Sequence, residues 1–238
     1  MKFELQLWSI SELTQKSFPD ALSKVSEWGY SGVEFAGFGG LDSAQMKNLL
    51  DTNGLYSTGA HIPVSDFENN FDEMLEYCHN LGMKYMIIPF AEIETEEDIA
   101  YIADLLNRCG DKAAKYGMKT GYHNHSGEMK FIGNRRILDA LAEDTNDNVV
   151  IEPDVFWVKY AGVDPVEYIK KLGKKAEIIH LKQISADGKT NVAFPDGILD
   201  MKEIIDASSY ARYFVVEQEG SVDRVEASRV NAEVLGKF

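Results

Sequence analysis

The stretch from Val149 to Lys182 constrains the fold more than any other part of the chain. It opens with an apolar run, Val149-Val150-Ile151, that stops on Glu152-Pro153-Asp154. A helix is expected next, with Asp164 as its N-cap and Pro165 at its first position, where a missing N–H is tolerated. A second apolar run, Ile178-Ile179, stops on His180-Leu181-Lys182. Side chains alternate along a strand, so Glu152 and Asp154 share one face, as do His180 and Lys182. Charged groups closing a buried strand are costly unless something pairs with them. The unit is therefore strand, helix, strand, and each strand ends in groups that bind metals or move protons.

The same unit recurs along the whole chain. Strands are expected at 3–10, 32–35, 56–62, 84–89 and 119–125 before this stretch, and at 214–217 after it. Helical spacing fills the intervals at 19–28, 42–51, 67–81, 95–116, 134–143 and 200–207, and Ser221 is read as the cap of a last helix. Alternating strands and helices imply a parallel α/β sheet, and eight such units close into a (βα)₈ TIM barrel. A doubly wound open sheet is the alternative. The first turn, Trp8-Ser9-Ile10-Ser11, lacks the glycines of a dinucleotide fingerprint. With 238 residues, the chain is read as one barrel domain, 1–238, in which 3–10 lies beside 214–217.

Composition narrows the partners. A net charge of −15 would repel a phosphate backbone, so no nucleic acid is expected. No run reaches membrane-spanning length, and the opening Met1-Lys2-Phe3-Glu4 alternates like a strand rather than reading as a signal peptide. Cys78 and Cys109 lie in helical patterns and are read as reduced thiols of a cytoplasmic protein. A homo-oligomer remains open.

Active sites of such barrels lie at the C-terminal ends of the strands. Four of the five histidines fall there: His61, His123, His125 and His180. Glu34, Asp154, Glu217 and Glu128 join them. One strand-end histidine is more often a hydrogen-bonded structural group, and one glutamate is usually solvated. Their convergence on one mouth changes the reading, because clustered carboxylates raise one another's pKa unless a cation compensates. Oxygen ligands with imidazole suit Mn²⁺, Mg²⁺, Co²⁺ or Zn²⁺.

Four motifs carry a resemblance. They are Gly121-Tyr122-His123-Asn124-His125-Ser126-Gly127-Glu128, then Asp154-Val155-Phe156-Trp157 with Ala161-Gly162-Val163-Asp164-Pro165, then His180-Leu181-Lys182, then Val216-Glu217-Gln218. In this order the chain resembles the xylose-isomerase-like TIM-barrel superfamily, and within it the sugar phosphate isomerase/epimerase branch. The resemblance implies one divalent metal, manganese first among the candidates, held by Glu, Asp, His and Glu from strands five to eight. Asp154, His180 and Glu217 match the last three places. His123 stands at the first, and the fourth ligand is expected to be Glu128, reaching back, or His123 itself. Gln183 and the turn Phe194-Pro195-Asp196-Gly197 also depart from the family pattern.

The activity implied is sugar isomerisation or epimerisation in carbohydrate metabolism, by proton abstraction next to a carbonyl through a metal-stabilised enediolate. Two bases are then needed, Glu217 with Glu128, or with His123 in its place. Lys182, Trp157, His61, His125 and Glu34 are the expected substrate contacts, with Trp157 walling the sugar. Two alternatives stay open. A lyase or dehydratase acting on a keto-sugar, keto-inositol or 3-keto-glycoside would cleave a carbon–oxygen or carbon–carbon bond with the same machinery. A non-catalytic sugar-binding or partner subunit would explain the loss of the strand-five glutamate. An endonuclease on abasic DNA, which shares this barrel, is disfavoured by the charge. Scattered glycines after strands seven and eight form no phosphate nest, which leans toward an unphosphorylated substrate.

Overall fold

The computed structural model describes residues 1–220 and 222–238. Eight parallel strands form a nearly closed barrel: β1 (Glu4–Gln6), β2 (Gly32–Ala36), β3 (Tyr56–His61), β4 (Tyr85–Ile88), β5 (Lys119–His123), β6 (Val149–Glu152), β7 (Ile178–Leu181) and β8 (Tyr213–Val216). Their spatial order is β6-β5-β4-β3-β2-β1-β8-β7, so β1 does lie beside β8, with Glu4 opposite Val215. The seam between β6 and β7 is drawn together at the mouth, where His180 N donates to Pro153 O at 3.1 Å and Asp154 bridges His180.

The alternation of each strand sorts its side chains into two layers. Ile87, Val150, Ile178 and Val215 point inward and pack with Tyr85. Their neighbours Met86, Ile88, Val149, Ile151, Ile179, Phe214 and Val216 point outward into the core beneath the helices. Gly121 lies among the inward group because there is no room for more. A Cβ there would stand 2.5 Å from Ile87 Cδ1 and 2.7 Å from Val150 Cγ2.

The outer ring is α1 (Phe18–Glu27), α2 (Ser43–Thr52), α3 (Phe71–Asn80), α4 (Glu96–Ala113), α5 (Ile137–Asp144), α6 (Pro165–Leu172), α7 (Met201–Ala207) and α8 (Arg224–Leu235). The expected caps hold for α4, where Thr95 and Asp98 form a capping box, and for α6, where Asp164 accepts from Val166 N and Glu167 N. Gly117 ends the run after α4 at φ 69°.

Several expectations are corrected. β1 is only three residues long, because Gln6 caps a 3₁₀ turn at Leu7–Ile10. The helix expected at 67–81 is two, Val64–Asn69 and α3, parted at Asn70. Ser221 lies outside the described residues, and Asp223 caps α8 by accepting from Glu226 N. A short helix, Val155–Tyr160, follows β6 directly and was not anticipated. Cys78 and Cys109 are both free and buried. Among the described residues no helix is long and apolar enough to cross a membrane.

Candidate active site

The C-terminal ends of β5 to β8 deliver four side chains to one point. His123, Asp154, His180 and Glu217 each offer a ligand atom, all within 4.8 Å of one another and all buried. Local structure fixes each of them. Asp154 is the N-cap of the helix Val155–Tyr160, and its Oδ1 accepts from Phe156 N and Trp157 N at 2.8 and 3.1 Å. Capping consumes one oxygen and leaves Oδ2 buried with no hydrogen-bond partner, 3.9 Å from His123 Nε2. His180 turns Nδ1 to Glu217 Oε2 at 3.2 Å.

Below this group lies a second layer of polar side chains. Glu152 Oε2 is 2.8 Å from His61 Nε2, 2.9 Å from His123 Nδ1 and 3.2 Å from His180 Nε2. Glu34 Oε2 is 2.8 Å from His180 Nε2 and accepts from Gln6 Nε2 at 2.7 Å. Lys182, fully buried, places Nζ 3.4 Å from both Asp154 Oδ2 and Glu217 Oε2 and pairs with Glu219. Its ammonium lies over the rings of Phe156 and Trp157.

These environments set the charge states. Burial pushes the Asp154 carboxyl up to about 6 against the pull of Lys182. Burial would also raise Glu217, but Lys182 and His180 hold it well below the usual range. Burial would lower His180, but Glu152 and Glu34 keep it well above the usual imidazole range. His123 lies well below that range through burial first and then repulsion from His180.

The donor set fits a divalent ion. Oxygen and nitrogen atoms at this spacing, one of them an orphaned buried carboxylate oxygen, match a carboxylate–imidazole site. Carboxylates also outnumber the cations around them: Glu34, Glu152, Asp154, Glu217 and Glu219 face one ammonium and the imidazoles.

Over the site opens a cavity of about 560 Å³. Trp8, Phe38 and Met74 supply apolar wall, and His61, His123, His125, Glu217 and Glu219 supply polar wall. No lysine or arginine is among its lining residues.

The expected residues divide into two groups. His123, Asp154, His180 and Glu217 come together as one ligand set, with Lys182 against it. His61 and His125 reach the cavity wall, whereas Glu34 is buried beneath the set, accepting from Gln6 rather than facing substrate. Trp157 stands behind His125, ring centroids 5.4 Å apart. Glu128 is the correction. It does not reach the ligand set, because Oε1 accepts from Tyr122 OH at 3.0 Å and Oε2 from His125 N at 2.8 Å. His123, the other residue expected as fourth ligand, joins the set instead. Gln183 does not face the site either. Its Oε1 accepts from Leu199 N and Ile184 N, and a Cβ on Gly197 would stand 2.1 Å from its Cγ, so the two departures from the family pattern are one interlock. Two residues were given no role in the site. Glu152 had its signal, a charge closing a buried strand. Glu219 had none.

The comparisons agree with this fold. The family model described as the xylose isomerase-like TIM barrel matches residues 22–237. An inosose dehydratase of Clostridium beijerinckii is 24% identical over 249 residues, spanning 86% of this chain and 83% of its own. A sugar phosphate isomerase/epimerase from Parabacteroides distasonis superposes with a TM-score of 0.82 at 23% identity, covering 100% of this chain and 98% of that one. The IOLI protein with a zinc atom bound superposes with a TM-score of 0.74 at 18% identity, covering 100% and 97%.

Proposed function

The chain belongs to the xylose isomerase-like TIM barrel family, and within it we propose a divalent-metal-dependent dehydratase acting on an uncharged keto-cyclitol or keto-sugar of the inosose class. His123, Asp154, His180 and Glu217 would hold one ion, manganese or zinc, which supplies Lewis-acid stabilisation of an enediolate when bound.

The observation that carries the reading is the number of free bases. Epimerisation is served most simply by one base on each face of the carbon. Both groups expected as the second base are engaged elsewhere: Glu128 by Tyr122 and His125, and His123 by Glu152 on one ring nitrogen and the ligand set on the other. Glu217 also belongs to the ligand set, but His180 and Lys182 both meet its Oε2, which leaves Oε1 for the proton, and the carboxylate is held ionised on the cavity wall. Its carboxylate takes the proton next to the carbonyl, and the electron pair moves into the enediolate. The same carboxyl then returns that proton to the departing β-hydroxyl, so one water is lost and no second base is needed. His125 lines the cavity and supplies a hydrogen-bonding position for a substrate hydroxyl.

The cavity lining supports an uncharged substrate. A phosphate or carboxylate would face Glu217 and Glu219 with no lysine or arginine in the lining to receive it. The fold likeness to an isomerase/epimerase keeps that reading as the competitor. Incubation of the manganese-loaded protein with a keto-inositol in D₂O separates them by mass spectrometry. Loss of one water is expected. Product of unchanged composition with deuterium at the carbon would overturn dehydration in favour of epimerisation.

A further inference from the structure

The layer beneath the ligand set suggests what orients it. His123 and His180 present opposite ring nitrogens to the set: Nε2 of His123, 3.9 Å from Asp154 Oδ2, and Nδ1 of His180, 3.2 Å from Glu217 Oε2. A neutral imidazole carries its proton on one nitrogen and its lone pair on the other, and the hydrogen bond made by one nitrogen decides which. Of the inward nitrogens, Nδ1 of His123 meets Glu152 Oε2 at 2.9 Å, and Nε2 of His180 meets two carboxylates, Glu34 at 2.8 Å and Glu152 at 3.2 Å, against the single Glu217 oxygen at 3.2 Å from its Nδ1. An ionised carboxylate can only accept. We propose that Glu152 and Glu34 are positioning residues that hold the two histidines in opposite tautomers, so that both lone pairs converge on the point marked by Asp154 and Glu217.

The same bonds set the inner cluster, His61, His123, Glu152 and His180, in competition with the ligand set, since its atoms also lie close enough together to hold a cation. Glu152 Oε2 sits at hydrogen-bond distance from an imidazole nitrogen of each, 2.8, 2.9 and 3.2 Å away. A cation there would need the lone pairs of nitrogens whose protons those bonds require. His61 is the third donor to the same oxygen. It steadies Glu152 without entering the ligand set. Burial makes the arrangement selective, since Glu34 and Glu152 are fully enclosed and water cannot replace them as acceptors.

This inference rests on the metal reading above but not on the substrate. The test uses the full chain, ¹⁵N-labelled at histidine and loaded with zinc, with long-range ¹H–¹⁵N correlations to assign the ring nitrogens. Expected are zinc on Nε2 of His123 and Nδ1 of His180, with slowly exchanging protons on the other nitrogens. Zinc on His123 Nδ1 or His180 Nε2 would place the ion in the inner cluster and overturn the proposal. Glu152→Gln keeps the side-chain volume but removes an obligate acceptor. Its zinc affinity, measured by chelator competition, is expected to fall about 10–100-fold. An unchanged affinity also overturns the proposal. A wild-type protein that takes up no divalent metal overturns both this inference and the metal reading. The expected nitrogens on zinc, with no turnover of keto-inositol, sustain the inference and sink the substrate assignment alone.

Discussion

The two ends of the barrel bury carboxylates in opposite ways. At the N-terminal end Glu177 has both oxygens satisfied, Oε2 accepting from Tyr85 OH at 2.9 Å and Oε1 from Lys119 Nζ at 2.8 Å. Those partners hold its carboxyl below the usual range although burial opposes them. At the C-terminal end Glu34 Oε1, Glu152 Oε1 and Asp154 Oδ2 are buried without a hydrogen bond, and Glu34 is raised by burial and by Glu152. Satisfied polar groups hold a structure together, whereas a cluster with acceptors to spare is an incomplete coordination or binding site. The bottom of the barrel is finished by the protein alone. The mouth keeps acceptors that a bound ion or substrate would engage.

Replacing one residue at the mouth should therefore remove function with little cost to the fold. Asp154→Ala is expected to abolish metal retention and turnover together. The lost N-cap should lower stability by only about 1 kcal/mol. Metal analysis and thermal denaturation of the same sample check both halves, and full metal content in Asp154→Ala would break the comparison. Glu217→Gln is the next largest effect. It keeps the shape and one ligand oxygen, so metal binding should weaken moderately, while exchange of the substrate proton in D₂O falls about 10²–10⁴-fold. Exchange at the wild-type rate would show that Glu217 is a ligand at most.

Metal addition sharpens the contrast from the other direction. At a free concentration of about 100 times its Kd, the ion should stabilise the fold by about 2.7 kcal/mol, and a chelator should reverse the shift. A melting temperature indifferent to metal and chelator would contradict a site at the mouth.

The smallest effect belongs to the bottom. Glu177→Gln should cost about 1–3 kcal/mol of stability and leave turnover unchanged. Because the folded-state pKa of Glu177 is depressed, its contribution is fully present above the unfolded value of 4.5 and is lost as pH falls through the folded value. The stability gap between wild type and Glu177→Gln should thus be constant near neutrality and close under acid. A gap that widened below pH 4.5 would reverse the assigned sign.

What the sequence disclosed follows from the range of the forces involved. Strand–helix alternation is local, and the barrel could be read from it, as could Asp154, His180 and Glu217 as strand-end groups. The break at Asn70 was hidden because apolar residues keep helical spacing across it. The task of Glu152 was hidden because its partners come from β3, β5 and β7, one of them 91 positions away. Glu128 misled through proximity. Five residues from His123, it looked able to reach the site, but Tyr122 faces outward on the same strand and takes it away from the mouth. The helix that caps on Asp154 was missed because six residues carry too short a pattern to register.

The seam between β6 and β7 has a mechanical consequence. The other seven junctions of the ring are paired ladders, whereas this one is pinned where Asp154 meets His180. Those two side chains are the proposed ligands on either side of the gap, so an ion shared between them would act as a clasp on the ring. Loading would then tighten the barrel at its loosest joint, and the His180 amide, bonded across the seam, should show the largest slowing of hydrogen exchange among the strand amides. An equal slowing in every strand would mean that the ring has no such joint. On this view the barrel completes its own closure only when it is armed for chemistry.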